Sequence, residues 1–392
     1  MTKRLALFAT HPVQYHVPIW RGLAKTPGLE VTVYYFSNHS IRGTVDAGFD
    51  VPVAWDVPLL EGYEHEFISR TADLARPNSV GVPNAGRVLR DGRYDCVLLL
   101  GYMHRFERQV IRAARRLGIR TVMRGEFADI GRHRGLVRRL VRGQYLKWFY
   151  SHVDAFCYIG EEARRHLLER GIPEEKLFFS PYSVDSTLFE AQRRMYDRGE
   201  RRADLGLTED CFTFLFSGKL IPRKDPLILL EALRRLHRHE QVALIVLGDG
   251  PLKTQVVKLG SDLLGSRFLF RGFVNQSQLG QYFLAADAFV LPSNVETWGL
   301  VVNEAMHFGL PVIVSDQVGC HRDLVIEGKT GLIFQSGDAQ ALSFALQHLM
   351  QDTAEAKRMG RNAQQHIRLY STEASVAGIM RAIGLQNDKC AA

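Results

Sequence analysis

The sequence contains no Cys-x-x-Cys motif, and no histidine follows a cysteine at the spacing of a zinc site. It has only five scattered cysteines: Cys96, Cys157, Cys211, Cys320 and Cys390. Such a set is typical of a reducing compartment, so we expect a cytoplasmic protein. Long apolar runs are also missing. The first run, residues 5–9, ends before His11 and Pro12, which is too short for a signal peptide or a spanning helix, so we expect a buried first strand.

Two further motifs are absent from the sequence. No Gly-x-Gly-x-x-Gly follows the first strand, which disfavours a dehydrogenase. No Asp-x-Asp carboxylate pair accompanies the motifs described below, so we expect no metal and no other cofactor. The net charge is +8, but no recognised nucleic-acid module or aromatic platform is present, and we expect no nucleic-acid partner.

The chain is 392 residues long and 46% hydrophobic, which favours two globular domains. Short runs rich in β-branched residues alternate with helical patterns, as in parallel sheets built from βαβ units. The predicted strands are residues 5–9, 31–36, 96–100, 121–123, 155–159, 212–216, 243–247, 268–270, 288–291, 312–315 and 332–334.

A polar segment, residues 190–210, is the best candidate for a domain boundary. We therefore predict an N-terminal Rossmann-like domain over residues 1–195 and a second over residues 196–370. Residues 371–392 are predicted to form a helix that returns to the first domain, with disorder after residue 386.

The positive charge is concentrated in one segment. Between Arg105 and Arg142 there are twelve arginines and three acidic residues. Residues 132–150 predict a basic amphipathic helix that ends in Trp148, Phe149 and Tyr150. One interpretation is docking on an anionic membrane, peripheral to the inner face. The alternative is a surface helix that covers the sheet, with its arginines extended to solvent.

Two glutamates in the second half stand at a predicted helix start. Glu296 follows a strand and a turn, and residues 299–301 should open a helix whose free N–H groups and positive dipole end suit a phosphate. Glu304, about one turn further, is placed to accept hydrogen bonds from ribose hydroxyls, as acidic residues do in dinucleotide folds. The alternative is that Glu296 caps the helix and Glu304 is solvated.

Other motifs lie at predicted strand ends in the same half. A loop with three cations follows residues 212–216, where it can neutralise a diphosphate. Each motif alone is a weak indication, but their order and spacing along the chain make the set specific. The motifs are Gly218-Lys219-Leu220 with Lys224, Gly248-Asp249-Gly250-Pro251, Gly272-Phe273-Val274, Glu296 with Glu304, residues 309–313, Gly319, and residues 327–331.

With these motifs, residues 212–334 resemble the nucleotide-sugar domain of the GT-B glycosyltransferases, in particular retaining family 4 (glycosyl transferases group 1). The resemblance implies an α/β GT-B fold, with two Rossmann-like domains whose parallel sheets face each other across a cleft. It also implies a role for each matching residue. Lys219 and Lys224 would bind the diphosphate, with Gly218 and Arg223 in the same loop; Arg271, Gly272, Phe273 and Val274 would frame the base; Glu296 would contact the sugar; Thr297, Trp298, Gly299, Leu300 and Val301 would contact phosphate or sugar; Glu304 would hold the ribose.

In this resemblance the first domain binds the acceptor. Its first loop is commonly glycine-rich in the family, but here it has no glycine, so His11, Gln14 and His16 are the candidate acceptor-side residues. His104 occupies the place of a catalytic histidine after the fourth strand, and Glu126 ends the next strand. For His16 the alternative is packing, and residues 182–185 are expected to be structural.

The sequence therefore predicts a retaining glycosyltransferase with Glu296, Lys219, Lys224, His104 and Glu126 as its catalytic residues. It would move a hexose-type sugar from a nucleotide-diphosphate sugar to a glycan or lipid-linked acceptor, in cell-surface polysaccharide or glycolipid biosynthesis. Two alternatives remain: a nucleotide-sugar 2-epimerase on the same scaffold, and a non-catalytic, basic nucleic-acid-binding protein.

Overall fold

A computed structural model describes residues 2–46, 51–127, 136–236 and 241–385. Parts of two predictions lie outside these residues: the start of the basic segment, residues 132–135, and the disordered end, residues 387–392. The chain forms two compact units. Unit 1 comprises Met1–Gly43, Pro58–Ser183 and Ser371–Ala392, and unit 2 comprises Thr44–Val57 and Val184–Tyr370.

Strands and helices alternate along most of the chain. The described strands are β1 (Lys3–Ala9), β2 (Leu29–Tyr35), β3 (Thr44–Asp46), β4 (Val51–Val53), β5 (Glu64–Phe67), β6 (Cys96–Leu99), β7 (Arg120–Gly125), β8 (Ala155–Tyr158), β9 (Leu177–Phe179), β10 (Phe212–Ser217), β11 (Val242–Leu247), β12 (Phe268–Gly272), β13 (Ala288–Leu291), β14 (Val312–Ser315) and β15 (Gly331–Phe334). The described α-helices are α1 (Val17–Ala24), α2 (His39–Arg42), α3 (Ala85–Asp91), α4 (Arg105–Leu117), α5 (Leu136–Tyr150), α6 (Glu161–Leu168), α7 (Ser186–Met195), α8 (Arg198–Asp204), α9 (Pro226–Arg234), α10 (Lys253–Leu264), α11 (Leu279–Ala285), α12 (Leu300–His307), α13 (His321–Leu324), α14 (Ala339–Gln351), α15 (Thr353–His366) and α16 (Thr372–Ala382).

Unit 1 contains a parallel sheet in which the described strands follow the order β5-β2-β1-β6-β7-β8-β9. Its inner strand β1 is apolar and buried from Leu5 to Phe8, as expected of a strand covered on both faces. All five strands predicted in the first half are confirmed. The two unpredicted strands of this sheet, β5 and β9, are its edges; the first is polar and the second has three residues, so neither carries a buried-strand pattern.

Unit 2 contains a second parallel sheet, with the described strands in the order β12-β11-β10-β13-β14-β15. All six strands predicted in the second half are confirmed. The antiparallel pair β3–β4 comes from the first half of the sequence but belongs to unit 2. The predicted α/β class with two parallel sheets is therefore correct.

The boundary between the units differs from the predicted one at residue 195. The chain passes into unit 2 after Ser183, and the segment predicted as a boundary forms α7 and α8 of that unit. Its polarity has a structural reason. Arg198 and Arg202 form ion pairs with Asp287 at 2.6 and 3.1 Å, so the arginines fasten α8 to the start of β13.

The C-terminal helix α16 packs in unit 1, which agrees with the expected return of the chain after residue 370. There the Ser375 hydroxyl accepts a hydrogen bond from the buried guanidinium of Arg124 (3.1 Å). None of the helices in the described residues has both the length and the apolar character needed to cross a bilayer.

Candidate active site

Each parallel sheet reverses its strand order at one position. The reversal lies between β10 and β13 in unit 2 and between β1 and β6 in unit 1. In open α/β sheets, ligands bind outside the carboxyl ends of the strands at such a switch point. The predicted residues of unit 2 follow β10, β12 and β13, and those of unit 1 follow β1, β6 and β7, so both sets lie at carboxyl ends.

The loops that leave β10 and β11 run against each other. The backbone N–H of Gly218 donates to the carbonyl of Leu247 (2.9 Å). Gly248 has a φ of +132°, and a Cβ there would lie 1.9 Å from the carbonyl oxygen of Gly218. Only glycine allows this approach. The contact therefore fixes the start of the loop that carries Lys219.

The same β10 loop is fastened to the loop after β13. The backbone N–H of Asn294 donates to the carbonyl of Arg223 (2.8 Å), and its side-chain amide donates to the Asp225 carboxylate (3.0 Å). Lys224 and Glu296 form an ion pair in which both side chains are largely buried. Two predicted catalytic residues, 72 positions apart in the chain, thus meet at the switch point.

The turn that carries Glu296 is held by the loop after β14. The backbone N–H of Glu296 donates to the carbonyl of Gln317 (3.1 Å), and the N–H of Gly319 donates to the carbonyl of Glu296 (2.8 Å). A Cβ at position 319 would lie 2.0 Å from the carbonyl oxygen of Thr297. Gly319, one of the motif residues, therefore lets two loops pack backbone against backbone.

Helix α12 begins at Leu300, as predicted. Gly299 precedes it in a left-handed conformation (φ +98°), which favours glycine. The buried indole N–H of Trp298 donates to the side-chain oxygen of Asn303 (2.9 Å), which joins the preceding turn to the first turns of the helix. Such a helix start offers backbone N–H groups and a positive dipole end to an anion.

Glu304 lies inside α12 and is 2% exposed. Its carboxylate accepts a hydrogen bond from the side-chain amide of Gln276 (3.3 Å), and the backbone carbonyl of Gln276 accepts one from the Gln192 side chain (2.8 Å). A buried carboxylate needs such donors, because its desolvation is costly otherwise. The alternative of a solvated Glu304 is therefore wrong. Gln276 was not among the predicted site residues, although it stands two residues after the Gly-Phe-Val motif.

The loop predicted to frame a base follows β12, at the edge of the sheet. Arg271 is exposed, Gly272 has a φ of +66°, and Phe273 and Val274 are half-buried. The Phe273 ring lies edge-on to the ring of Trp55, with a centroid separation of 6.0 Å. The loop thus keeps polar and aromatic groups near its surface, but the base-framing role remains a prediction.

Histidines from three strand ends come together in unit 1. His11 follows β1, and its ring centroid lies 4.2 Å from that of His39, which follows β2. Burial, together with the charges of His39 and His104, lowers the pKa of His11 to about 3. The imidazole is therefore neutral at physiological pH and can exchange hydrogen bonds with hydroxyl groups. Gln14 lies half-buried in the same loop, and His39 was not predicted.

His104 stands after β6 at the start of α4. Its backbone N–H donates to the carboxylate of Glu107 (2.6 Å), and its ring nitrogen lies 3.7 Å from the other carboxylate oxygen. Burial raises the pKa of Glu107. Glu107 therefore caps the helix and holds His104 in place. The predicted location of His104 at a strand end is correct.

A second group surrounds Tyr182. The guanidinium of the buried Arg124 lies 5.2 Å from the Tyr182 ring centroid, and the ring of His16 lies 6.4 Å from it. Burial and the charge of Arg124 lower the pKa of His16 to about 3. Glu126 is exposed at the end of β7 and interacts with Arg124 and Tyr182. Glu126 and His16 therefore both lie close to Tyr182.

Two family models match the chain, one on each half. The "Glycosyl transferases group 1" model matches residues 197–366, and the "Glycosyl transferase 4-like domain" model matches residues 13–183. The chain belongs to the group 1 glycosyltransferases. Its two parallel α/β sheets are those of the GT-B fold, as predicted.

Curated relatives of this group 1 glycosyltransferase match only part of it. The D-inositol 3-phosphate glycosyltransferase of Streptomyces avermitilis is 34% identical over 191 residues, which cover 46% of this chain and 41% of that protein. The match thus spans less than half of the relative's length.

Solved structures share its fold over almost the whole chain. Sucrose-phosphate synthase from Thermosynechococcus elongatus has a TM-score of 0.72 and 20% identity, and covers 97% of this chain and 98% of its own. Anabaena HepE, solved with UDP, has a TM-score of 0.72 and 19% identity, and covers 97% and 99%. At these identities the likeness shows the fold alone.

The basic helix α5 of this glycosyltransferase has apolar residues that are exposed and apolar residues that pack in the core. Leu140 and Val141 are 68% and 65% exposed, whereas Phe149 and Tyr150 are buried. Trp148 is half-buried, beneath the guanidinium of Arg112 at 5.2 Å. The predicted aromatic cluster at the end of the helix is therefore mainly core, and the exposed apolar residues lie nearer its start.

Proposed function

We propose that this group 1 glycosyltransferase is a retaining enzyme that moves a hexose-type sugar from a nucleotide-diphosphate sugar to a glycan or lipid-linked acceptor. The observation that carries the proposal is the pairing of Lys224 with Glu296 beside the start of α12, one turn before the buried Glu304. Along the chain, the Glu296 carboxylate, the start of α12 and the Glu304 carboxylate follow one another, which is the order in which the proposal assigns the sugar, the diphosphate and the ribose.

In the proposed donor site the diphosphate lies at the start of α12, with Lys219 and Lys224 as its counter-charges. Glu296 then contacts the sugar hydroxyls next to the diphosphate. Glu304 lies about one helical turn, roughly 5 Å, along the axis and accepts hydrogen bonds from the ribose. Anabaena HepE, of the same fold, has also been solved with UDP-glucose, which supports a donor of this class.

The proposed reaction breaks the bond between the anomeric carbon and the leaving diphosphate oxygen, and forms a bond from the acceptor hydroxyl oxygen to that carbon on the same face. The acceptor proton passes to the leaving oxygen. Negative charge grows on the diphosphate as it leaves, and Lys219, Lys224 and the first amides of α12 stabilise that charge. Glu296 positions the sugar through its hydroxyls, and Lys224 in turn orients the Glu296 carboxylate.

We further propose that transfer requires no metal ion, because lysines and helix amides supply the counter-charge of the diphosphate. Activity with excess chelator should then equal activity without it. Activity that disappears with chelator and returns with added Mg²⁺ or Mn²⁺ would overturn this part.

The acceptor is proposed to bind in unit 1 at the carboxyl ends of β1, β2 and β6. The neutral imidazole of His11 and the neighbouring His39 and His104 suit the hydroxyl groups of a glycan or polyol. We place the enzyme in the cytoplasm, peripheral to the inner face of the membrane, in cell-surface polysaccharide or glycolipid synthesis. The exposed Leu140 and Val141 on the arginine-rich α5 support the peripheral location.

A panel of nucleotide sugars tests the function directly. The full-length protein should be stabilised thermally by one donor, and with acceptor extract it should transfer that sugar with its anomeric configuration retained, as read by NMR. A product of inverted configuration would refute retention. An epimer formed from donor alone would favour the 2-epimerase, and salt-sensitive nucleic-acid binding unchanged by Glu304→Ala would favour the binding protein.

A further inference from the structure

The segment of residues 54–57 comes from the first half of the sequence, between β4 and β5, but belongs to unit 2. It lies against the residues that follow β12. No motif in the sequence marked it. Because the proposed nucleoside side of the donor site includes the β12 loop, the contacts of the 54–57 segment bear on that site.

Asp56 is the polar contact of the 54–57 segment. Its carboxylate accepts hydrogen bonds from the backbone N–H of Ser277 (3.2 Å) and from the Ser277 hydroxyl. In return, the Asn275 side chain accepts from the Asp56 backbone N–H (3.3 Å) and donates to the carbonyl of Ala54 (2.7 Å). These bonds connect the segment to both neighbours of Gln276.

The bonds act where a helix starts. Residues Gln276–Gln278 form a 3-10 turn that continues into α11, and the first N–H groups of such a start have no partner within it. Asn275 caps the first N–H of the turn (3.0 Å) from its own position. Asp56 caps the next one from a different part of the chain, and so fixes the turn to the 54–57 segment.

The turn holds the side chain proposed to bind ribose. Gln276 is buried, and its amide donates to Glu304 (3.3 Å). Its orientation depends on the backbone on either side, which Asn275 and Ser277 tie to Asp56. A displacement of the turn would therefore move the donor that orients the Glu304 carboxylate.

Trp55 makes the apolar contact of the segment. Its ring lies edge-on to Phe273, with centroids 6.0 Å apart and planes at 61°, and both side chains are half-buried. Edge-to-face pairs at this distance are favourable and directional. Phe273 belongs to the loop proposed to frame the base, so the orientation of its ring depends on Trp55.

We infer that Trp55 and Asp56 are positioning residues for the nucleoside: they hold the base loop and Gln276 in the geometry that selects the nucleotide of the donor. The inference rests on the proposed function. It assigns the base preference to a segment distant in sequence from the motif-bearing half. The diphosphate contacts, on the β10 loop and α12, are formed by other elements.

The test uses titration calorimetry of the full-length protein with UDP, GDP, ADP and inorganic pyrophosphate. Asp56→Ala and Trp55→Ala should each lower the affinity for the preferred nucleotide roughly tenfold. They should also reduce the preference for that nucleotide over the other two, and leave the affinity for pyrophosphate unchanged. Asp56→Asn and Trp55→Phe should recover most of the affinity, since an amide oxygen still accepts from Ser277 and a smaller ring still meets Phe273.

Asp352→Ala is the matched control. Asp352 is also exposed and caps a helix of unit 2, accepting from the Glu355 N–H (2.8 Å), so its loss should leave every affinity unchanged. Equal nucleotide affinities in wild type and in both alanine variants would overturn the inference, and so would an equal loss for pyrophosphate. A wild type that binds none of the nucleotides would refute the proposed function itself, and the inference with it.

Discussion

Lys224 and Glu296 form a largely buried ion pair that joins the loop after β10 to the loop after β13. The pair spans the position where the strand order of the unit 2 sheet reverses. Removal of either partner leaves a buried charge without its counter-ion, which is costly, and removes a proposed contact to the diphosphate or the sugar.

Lys224→Ala should therefore lower kcat/KM for transfer by about 10²–10³-fold, since it removes a charge that stabilises the leaving group. Glu296→Ala should have a comparable effect, and the double variant should lose far less than the product of the two single losses, because the residues act as a unit. Steady-state kinetics of the three variants measure this coupling.

Lys258→Ala is the control for that series. Lys258 forms an exposed ion pair with Asp262 (2.7 Å) in the same unit, and surface pairs contribute little. Its kinetics should match those of wild type. Losses that multiply in the double variant would show that Lys224 and Glu296 act independently.

Glu304→Gln tests the ribose contact without a change in size. The variant side chain can still bond to Gln276, but it loses the charge that makes hydrogen bonds to hydroxyls strong, which is worth roughly 1.5–3 kcal/mol. Wild type should prefer its nucleoside diphosphate over the 2′-deoxy form, and Glu304→Gln should bind the two nearly alike. A preference of the same size in both proteins would remove Glu304 from the ribose site.

Much of the candidate site was predictable because it depends on local sequence. Burial fixes the apolar runs of β10 to β15, and close backbone approach fixes the glycines at positions 248 and 319. A left-handed backbone favours the glycine at position 299. All of these leave a pattern in the chain. Lys224 and Glu296 were both predicted to lie at strand ends of the same sheet, but the contact between them was not predicted.

The rest depends on contacts between distant positions. The polar composition of residues 190–210 is typical of a linker, but the segment belongs to unit 2, where the arginines of α8 bind Asp287. His39 joins His11 through the sheet order, and Gln276 reaches Glu304 across the unit. No single stretch of sequence contains these relationships.

Gly248→Ala should destabilise unit 2. A methyl group would lie 1.9 Å from the Gly218 carbonyl oxygen at a φ of +132°, so the backbone must shift, at an expected cost of about 3 kcal/mol or more. Thermal unfolding should show the loss, together with weaker nucleotide binding because the Lys219 loop moves. Gly143→Ala, where a methyl group meets nothing within 4 Å in α5, should be neutral or slightly stabilising. Equal melting temperatures for the two variants would contradict the steric argument.

Acid should weaken unit 1 through the half-buried His11 and His16. Burial and the neighbouring charges of His39, His104 and Arg124 lower the pKa values of His11 and His16 to about 3, below the ordinary value of 6.5. The unfolded chain therefore binds more protons between pH 6.5 and 3. The contribution of each neutral histidine to stability is present above pH 6.5 and is lost as the pH falls through that window, by up to about 1.4 kcal/mol per histidine at pH 5.5. Denaturant unfolding at pH 7.5 and 5.5 should show the loss, and His16→Gln should reduce it. An unchanged pH dependence in that variant would place the effect elsewhere.

Leu140 and Val141 decide between the two interpretations of the basic helix α5. Leu140 and Val141 are adjacent on an arginine-rich helix and are 68% and 65% exposed, and a helix that lies on an anionic bilayer would bury both. Wild type should sediment with phosphatidylglycerol vesicles, less so at high salt because the arginine contribution is screened.

Leu140→Glu with Val141→Glu should reduce binding by roughly 10²-fold or more, given ~1.5 kcal/mol for each buried side chain. Phe344→Glu, at a comparably exposed apolar position in unit 2, should bind as wild type does. If the α5 double variant also binds as wild type does, the helix is a cover for the sheet and the acceptor must be reached without it.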